Sequence, residues 1–198
     1  MGVEDAQLIS DVQRLAESLG ELPEPVVKPT FIAVSGLPGT GKSYFCSKLA
    51  EKLPFVILES DALRKALFPS PNYSKEESSR LFQACHNLIE KLLKRGIPVI
   101  LDATNLSESY RERLYNIAER LDVKLILVRV EAPPQIVRER LKARLENQEG
   151  DSDADWEVYN RMKPRVQQIR RNHYAVDTSN DITPVLDKIV REANRHNR

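Results

Sequence analysis

One run of eight residues in this chain has the residue types and spacing of a phosphate-binding loop. It follows the short apolar run Phe31 to Val34 and precedes a helical pattern that carries Phe45 and Leu49. Its glycines allow successive backbone N–H groups to point at phosphate oxygens, with the positive end of a helix dipole behind them. The loop, with Tyr44 after it, is therefore predicted to bind a nucleotide through Gly36, Leu37, Pro38, Gly39, Thr40, Gly41, Lys42 and Ser43.

Charged and hydroxyl groups in and near the loop indicate phosphoryl chemistry that uses ATP and Mg²⁺. Lys42 is expected to neutralise the β and γ phosphates, and the Ser43 hydroxyl is expected to be a Mg²⁺ ligand. Asp102 ends the third apolar run, which is typical of a second carboxylate that reaches Mg²⁺ directly or through its water shell. A plain turn-forming role is the alternative for Asp102. No Asn-Lys-x-Asp run follows the fourth apolar run, so ATP is favoured over GTP.

The second apolar run leads into Asp61, at the edge of a parallel sheet where ligands bind. There the carboxylate can accept the proton of an acceptor hydroxyl while the γ-phosphate is transferred. Arg64, one helical turn later, is predicted to lie on the same face and to hold an anionic group of the acceptor. The spacing equally allows a structural role, in which Ser60 and Asp61 cap a helix and Arg64 pairs with Asp61.

A helical pattern after the fourth apolar run carries Arg140 and Arg144. Because residues four apart share a helix face, both guanidinium groups can close over a bound nucleotide and stabilise charge on the transferring phosphoryl group. Residues 134–165 are predicted to form such a lid, with the polar stretch 147–155 as its tip. The alternative is an ordinary solvated helix face, since glutamates lie among the arginines.

These groups need a scaffold that brings strand ends to one edge. From Thr30 onward, short apolar or β-branched runs alternate with longer helical patterns, which predicts an α/β fold with a parallel sheet and helices on both faces. Ser74 and Glu77 form a capping-box pattern at the start of one helix, and Gly96 can end it. The predicted strands are residues 31–34, 55–58, 98–101, 123–130 and 174–176.

The first 29 residues are predicted to be an appendage to one domain over residues 30–198. Val12 and Leu15 belong to an apolar stripe on a helix over residues 5–19, whose other face is acidic. Three prolines then make an extended connector.

Composition excludes several protein classes. A chain of 198 residues that is 41% hydrophobic can build one full core, and its net charge of +1 argues against a disordered chain or a strongly basic nucleic-acid coat. Two cysteines cannot form a secreted disulfide framework, and the longest apolar runs are far too short to span a membrane. We therefore expect a cytoplasmic protein that does not enter a membrane.

The ordered set of motifs resembles the P-loop kinases typified by the kinase domain of phage polynucleotide 5′-hydroxyl kinase, and the bacterial ATP-binding proteins known as predicted kinases. The resemblance extends from Thr30 to the end of the chain. It implies an adenylate-kinase-like three-layer α/β/α fold with a five-stranded parallel sheet in the order 2-3-1-4-5. It is carried by residues 36–43, 60–64, 102–106 and 176–179, together with the two lid arginines.

The same resemblance implies individual roles. Asp61 would be the general base, and Arg64 would contact an acceptor phosphate beside Thr104 and Asn105. Arg144 would lie on the nucleotide phosphates. Arg140 would lie nearer the base, and Thr178 and Ser179 would line the adenine pocket.

Three functions remain open at this point. The first is transfer of phosphate from ATP to a polynucleotide 5′-hydroxyl. The second keeps the kinase chemistry but uses a small acceptor such as a sugar, a nucleoside or an antibiotic. The third is a nucleotide-dependent interaction protein with ATPase activity, whose N-terminal helix docks on an unknown protein partner.

Overall fold

The computed structural model describes residues 3–147 and 154–196. Its centre is a parallel sheet of five strands in the order β2-β3-β1-β4-β5, which confirms the predicted fold class and strand order. Each strand lies within a few residues of its predicted position. The strands are β1 Thr30–Ser35, β2 Val56–Glu59, β3 Val99–Asp102, β4 Lys124–Glu131 and β5 Tyr174–Asp177.

Eight α-helices are present in the described residues. Their bounds are α1 Val3–Glu17, α2 Lys42–Ala50, α3 Ser60–Leu67, α4 Lys75–Lys94, α5 Glu108–Arg120, α6 Pro134–Asn147, α7 Trp156–Met162 and α8 Thr183–His196, with a 3₁₀ turn at Lys163–Arg165. The Ser74 hydroxyl accepts a hydrogen bond from the Glu77 N–H at the start of α4, and Gly96 follows its end with φ +79°. No described helix has both the length and the apolar character needed to cross a membrane.

The central strand β1 explains why both faces of the sheet are covered. All six of its residues are buried. Phe31 and Ala33 contact a core shared with α1, α3, α4 and α5, whereas Ile32 and Val34 contact a second core shared with α2 and α8. Successive side chains of a strand point to opposite faces, so a continuous apolar run here requires helices on both sides.

Helix α1 packs on the same core as α3 and α4. Val12 is 3% exposed and Leu15 is fully buried, so the predicted apolar stripe is covered by the chain itself. Asp11 is also buried and accepts two hydrogen bonds from Arg80 of α4, at 2.6 and 2.7 Å. The boundary at residue 29 stays a prediction, but α1 is anchored by apolar contacts and by the ion pair between its buried Asp11 and the partly exposed Arg80.

Replacing Arg80 with methionine is expected to destabilise the fold, because Asp11 then stays buried without its cationic partner. We expect a loss of about 2 kcal/mol, or roughly 4–8 °C in thermal midpoint at neutral pH. The hydrogen bonds from Arg80 hold the pKa of Asp11 below its ordinary value, with burial opposing them. The stabilisation is therefore complete above the ordinary aspartate pKa of about 3.9 and is lost as the pH falls through the lower folded-state pKa.

The matched control is Arg120→Met. Like Arg80, Arg120 pairs with a carboxylate, in this case that of Glu90, but the Arg120 side chain is 61% exposed. Exposed ion pairs contribute little, so thermal unfolding of this variant should match wild type within about 0.5 kcal/mol. Equal losses in the two variants would contradict the role given to the Asp11–Arg80 pair.

Candidate active site

A cavity of about 220 Å³ lies at the carboxyl edge of the sheet, between the phosphate-loop sequence and helix α6. In a doubly wound parallel sheet this edge is where ligands bind. Most of the predicted site residues meet here. The cavity is lined by Pro38, Gly39, Gly41, Lys42, Ser43, Tyr44, Glu59, Ser60, Asp61, Asp102, Thr104, Arg140, Leu141 and Arg144.

The loop before α2 has the geometry that its glycines allow. Gly41 precedes the first residue of α2 with φ +89°, and a Cβ atom there would lie 2.9 Å from Thr178 Oγ1. A side chain at this position would be both strained and crowded. Lys42 opens the helix, and its Nζ donates to the Leu37 carbonyl at 3.2 Å. The ammonium group is thus folded back over the loop, beside the unpaired N–H groups of a helix N-terminus.

Asp102 is the most deeply buried charged group of the cavity, at 2% exposure. Burial raises the pKa of its carboxyl, while nearby Lys42 and the Ser43 hydroxyl act in the opposite direction. One of its oxygens, Oδ2, has no hydrogen-bond partner among the described residues. Leaving a carboxylate oxygen buried and unpaired is costly, so it points to a ligand that supplies a positive charge or a donor.

These groups fit Mg²⁺. The ion takes hard oxygen ligands, keeps several waters, and is usually held by one or two protein groups together with phosphate oxygens. The free oxygen of Asp102 and the hydroxyl of Ser43 are donors of this kind. Glu59, which pairs with Asp102 in the register of β2 and β3, adds a third oxygen donor, since its Oε1 accepts from Ser43 Oγ at 3.4 Å.

Asp61 and Arg64 do not reach the same place, although their spacing in the sequence predicts that they lie on one face of a helix. Asp61 lies in the first turn of α3 and lines the cavity. Arg64 is 6% exposed, forms an ion pair with Glu77 of α4, and lies 4.8 Å from the centre of the Tyr73 ring. Its guanidinium group is therefore engaged by α4 and is absent from the residues that line the cavity.

Glu77 is held firmly in that pair. Burial disfavours its charge, but the backbone N–H of Asn72 and the Arg64 guanidinium keep the pKa of Glu77 below its usual value. The backbone N–H of Tyr73 also donates to Oε1, at 3.3 Å, so the ionised carboxylate has three donors in place. The sequence indicated Glu77 only as a capping residue, and nothing in the local pattern pointed to a partner 13 residues away.

The two lid arginines line the cavity from α6, as their spacing predicts. Arg140 donates to Thr178 twice, to Oγ1 at 2.7 Å and to the carbonyl at 2.9 Å. Thr178 in turn donates to the Thr40 carbonyl at 2.6 Å, so hydrogen bonds connect the end of β5 with the phosphate loop and with α6. Arg144 donates to the Ala154 carbonyl across the tip of the predicted lid. Residues 148–153 of that tip lie outside the described residues.

Of the remaining predicted residues, some line the cavity and others lie beside it. Thr104 lines the cavity, and its carbonyl accepts from the Gly36 N–H at 3.2 Å. Asn105 is buried with φ +46°, and its side chain donates to the Val34 carbonyl at 2.9 Å. Tyr44 is 55% exposed at the rim. Leu37 faces a neighbouring groove on the other side of the loop.

Arg111 is a supporting residue that sequence reasoning missed. It is 2% exposed, and its guanidinium group connects the loop after β3 with residues 167–168, which follow the 3₁₀ turn. Its four backbone acceptors, at 2.8 to 3.0 Å, are the carbonyls of Asn105, Leu106, Gln167 and Gln168. A lone arginine in a helical pattern gives no signal of this role, because the acceptors come together only in the fold.

The variant Arg111→Met is expected to lose about 3 kcal/mol of stability, since four carbonyls and the Glu108 carboxylate lose their donor. For a chain of this size that is roughly 6–12 °C in thermal midpoint. The control Arg113→Met changes an exposed residue of the same helix and should stay within about 0.5 kcal/mol of wild type. Thermal unfolding followed by circular dichroism measures both, and similar midpoints for the two variants would contradict this role.

Three cavity residues were also missed by sequence reasoning: Glu59, Ser60 and Leu141. Glu59 lies two residues before Asp61, which the sequence did single out, and its position at a strand end was the available signal. Leu141 was not identifiable, because the periodicity of α6 gives no indication that an apolar side chain packs over the loop. A Cβ atom on Gly39 would lie 2.8 Å from Leu141 Cγ, so the glycine and the leucine fit together.

Comparison with known proteins gives three kinds of match. A family model described as "AAA domain" matches residues 31–169. L-seryl-tRNA(Sec) kinase of Methanococcus maripaludis is 35% identical over 114 residues, which cover 55% of this chain and 44% of that protein. Gluconokinase of Gluconobacter oxydans is 31% identical over 97 residues, which cover 44% of this chain and 52% of that protein. The chain thus spans about half the length of these curated relatives.

Among solved structures, APS kinase CysC of Mycobacterium tuberculosis superposes with a TM-score of 0.65 and 16% identity. The match covers 85% of this chain and 98% of that chain. At this level of identity the match shows the fold alone.

Proposed function

Starting from the fact that this chain belongs to the family described as "AAA domain", with the P-loop kinase fold that its motifs predict, we propose that it is an ATP-dependent phosphotransferase. The acceptor in this proposal is a hydroxyl group at the 5′ end of a polynucleotide. The observation that carries the proposal is one cavity in which a phosphate-binding loop, a carboxylate at a strand end and two lid arginines converge.

The residues of the cavity divide the reaction between them. Lys42 and the backbone of the loop bind the β and γ phosphates of ATP, while Arg140 and Arg144 approach from α6 and stabilise charge on the transferring group. Ser43 and Asp102 would hold Mg²⁺, which neutralises phosphate charge when it is bound. Asp61, on the α3 side of the cavity, accepts the proton of the attacking hydroxyl.

The polynucleotide acceptor is supported by the motif resemblance and by a curated relative. That relative is named as a kinase of L-seryl-tRNA(Sec), an acceptor carried on RNA. Asp61, the general base of this proposal, lies in the first turn of α3 at the cavity wall. An acceptor hydroxyl with a long chain behind it is compatible with that arrangement.

A second candidate is a small polyol or nucleoside acceptor, and one observation favours it. The cavity measures about 220 Å³, and Arg64, the cation expected to bind an anionic acceptor, is engaged by Glu77 instead. Another relative is named as a gluconokinase. Among small acceptors, a neutral sugar or nucleoside needs no free cation at that place, whereas a carboxylate such as gluconate would have to find another one.

The fold limits how the interaction-protein hypothesis could work. In that hypothesis the acidic N-terminal helix docks on a partner, and because Val12 and Leu15 are buried against this chain's own core, only the opposite face of α1 is open to such a contact. Deleting residues 1–28 would therefore remove part of the fold together with any partner surface.

The test is transfer of labelled γ-phosphate from ATP to 5′-hydroxyl DNA and RNA oligonucleotides, with gluconate and nucleosides assayed in parallel. Label on the oligonucleotide supports the proposal, and a 5′-phosphorylated oligonucleotide must remain unlabelled. Label only on a small acceptor would establish the second candidate. ATP hydrolysis without transfer to any acceptor would contradict both.

A further inference from the structure

A second concave surface lies at the opposite edge of the sheet, where β4 and β5 begin and α8 approaches its end. It encloses about 520 Å³. We refer to it as the α8 basic face. Its lining residues are Lys124, Tyr174, Lys188, Arg191, Glu192 and Arg195.

Three exposed cations of this face lie on one stripe of α8. Lys188, Arg191 and Arg195 follow one another at steps of three and four residues, so their side chains lie on one side of the helix. In the part of the chain that the structure describes, none of the three forms an ion pair or a hydrogen bond. They span about 10 Å along the helix axis.

The single carboxylate of the face is already engaged. Glu192 accepts hydrogen bonds from Tyr174 Oη at 2.6 Å and forms an ion pair with Lys124 Nζ at 2.7 Å. Burial opposes the charge on Glu192, but these contacts keep its pKa below the ordinary value. The face therefore carries an excess of positive charge on a chain whose net charge is only +1.

Stabilisation of the helix does not account for this set of cations. Basic residues compensate the helix dipole within the last turn, which in α8 contains Arg195 alone among the three. Lys188 and Arg191 lie nearer the middle of the helix. Their charges are thus available for an anion outside the chain.

The arrangement favours a linear polyanion over a single phosphate or a membrane. One phosphate ion requires cations that converge on a point, whereas these are spread along a helix. Peripheral membrane helices combine basic residues with exposed large apolar ones, and the lining of this face contains none of the latter. A nucleic-acid strand presents successive phosphates to a row of lysines and arginines.

We propose that the α8 basic face binds the phosphodiester backbone of a single-stranded polynucleotide. This inference rests on the proposed function, because the bound segment would be the part of the acceptor remote from its 5′ end. The face and the active-site cavity lie at opposite ends of the sheet, separated by roughly 26 Å along β4. Only an acceptor much longer than a mononucleotide reaches both.

The experiment compares two triple variants of the full chain. Lys188→Gln, Arg191→Gln and Arg195→Gln together remove the charges of the face. The control removes equally many exposed charges near the end of another helix, by Lys91→Gln, Lys94→Gln and Arg95→Gln. Thermal midpoints equal to that of wild type verify that both variants are folded.

Binding of a labelled single-stranded RNA of about 20 nucleotides is measured by fluorescence anisotropy between about 50 and 200 mM salt. The face variant is expected to bind at least about tenfold more weakly at the lowest salt. The plot of the logarithm of the association constant against the logarithm of the salt concentration should become less steep by about 2, since each lost phosphate contact contributes roughly 0.7 to the steepness. The control variant should retain the wild-type slope, and transfer to a mononucleotide acceptor should be unchanged in both.

Unchanged RNA affinity in the face variant, or equal losses in the two variants, would overturn the proposal. So would a loss of binding to anionic lipid vesicles with no change in binding to RNA. If wild type binds RNA through this face but transfers no phosphate to its 5′-hydroxyl, the docking surface stands and the proposed acceptor is wrong.

Discussion

Replacing Lys42 with alanine is expected to reduce phosphoryl transfer by about 10³-fold or more. The ammonium group of Lys42 donates to the Leu37 carbonyl and so lies over the loop, at the place where the nucleotide phosphates would bind. Without it, the negative charge of the transferring group loses a fixed counter-charge in a partly enclosed cavity. Single-turnover transfer from labelled ATP measures the effect.

The matched control is Lys48→Ala on the same helix. Lys48 pairs with Glu51 at the surface, where its side chain is 41% exposed, and the cavity lining does not include it. This variant should transfer phosphate at the wild-type rate. A loss below about tenfold in Lys42→Ala would mean that the loop binds something other than the reacting phosphates.

Replacing Asp61 with asparagine is expected to lower kcat by about 10²- to 10⁴-fold while ATP affinity changes less than about twofold. The reason is that the carboxylate would act on the acceptor hydroxyl, whereas ATP is bound by the loop. Asparagine keeps the size and most of the helix-start preference of aspartate but cannot accept the proton.

This choice of variant separates the two interpretations of Asp61. If Asp61 serves only the first turn of α3, the asparagine variant should retain activity and lose at most about 1 kcal/mol of stability. If it is the base, thermal unfolding is nearly unchanged while kcat falls. Isothermal titration with a non-hydrolysable ATP analogue provides the affinity, and equal losses in affinity and kcat would argue against the base.

The contact between Arg64 and Glu77 affects the choice of acceptor more than any other packing detail. Arg64 was the sequence-derived candidate for holding an acceptor anion, and the structure gives it a buried carboxylate partner instead. A buried pair of this kind is costly to break, because removing either partner leaves an uncompensated charge. An acceptor whose anionic group has to bind at Arg64 would compete with Glu77. A neutral small acceptor would not, and neither would a polynucleotide whose phosphates are held elsewhere.

The sequence by itself determined the fold class, the phosphate-loop motif, and the positions of Asp102 at the end of one strand and of Asp61 just after the end of another. These are local properties. Alternating apolar runs determine which segments are strands, glycine spacing determines where the backbone can turn around phosphate, and parallel strands bring their carboxyl ends to one edge. The lid arginines followed from helix periodicity in the same way.

The tertiary structure alone decided which side chains with the right spacing reach the cavity. Arg64 turns to Glu77, Asn105 supports the Val34 carbonyl, and Arg111 joins two loops through carbonyls that lie up to 57 residues away in the sequence. Helical spacing places a residue on a face, but long-range partners determine where its charge is neutralised. That is why the phosphate-loop motif could be identified from the sequence, whereas the positions of Arg64, Asn105 and Arg111 depended on packing between distant elements.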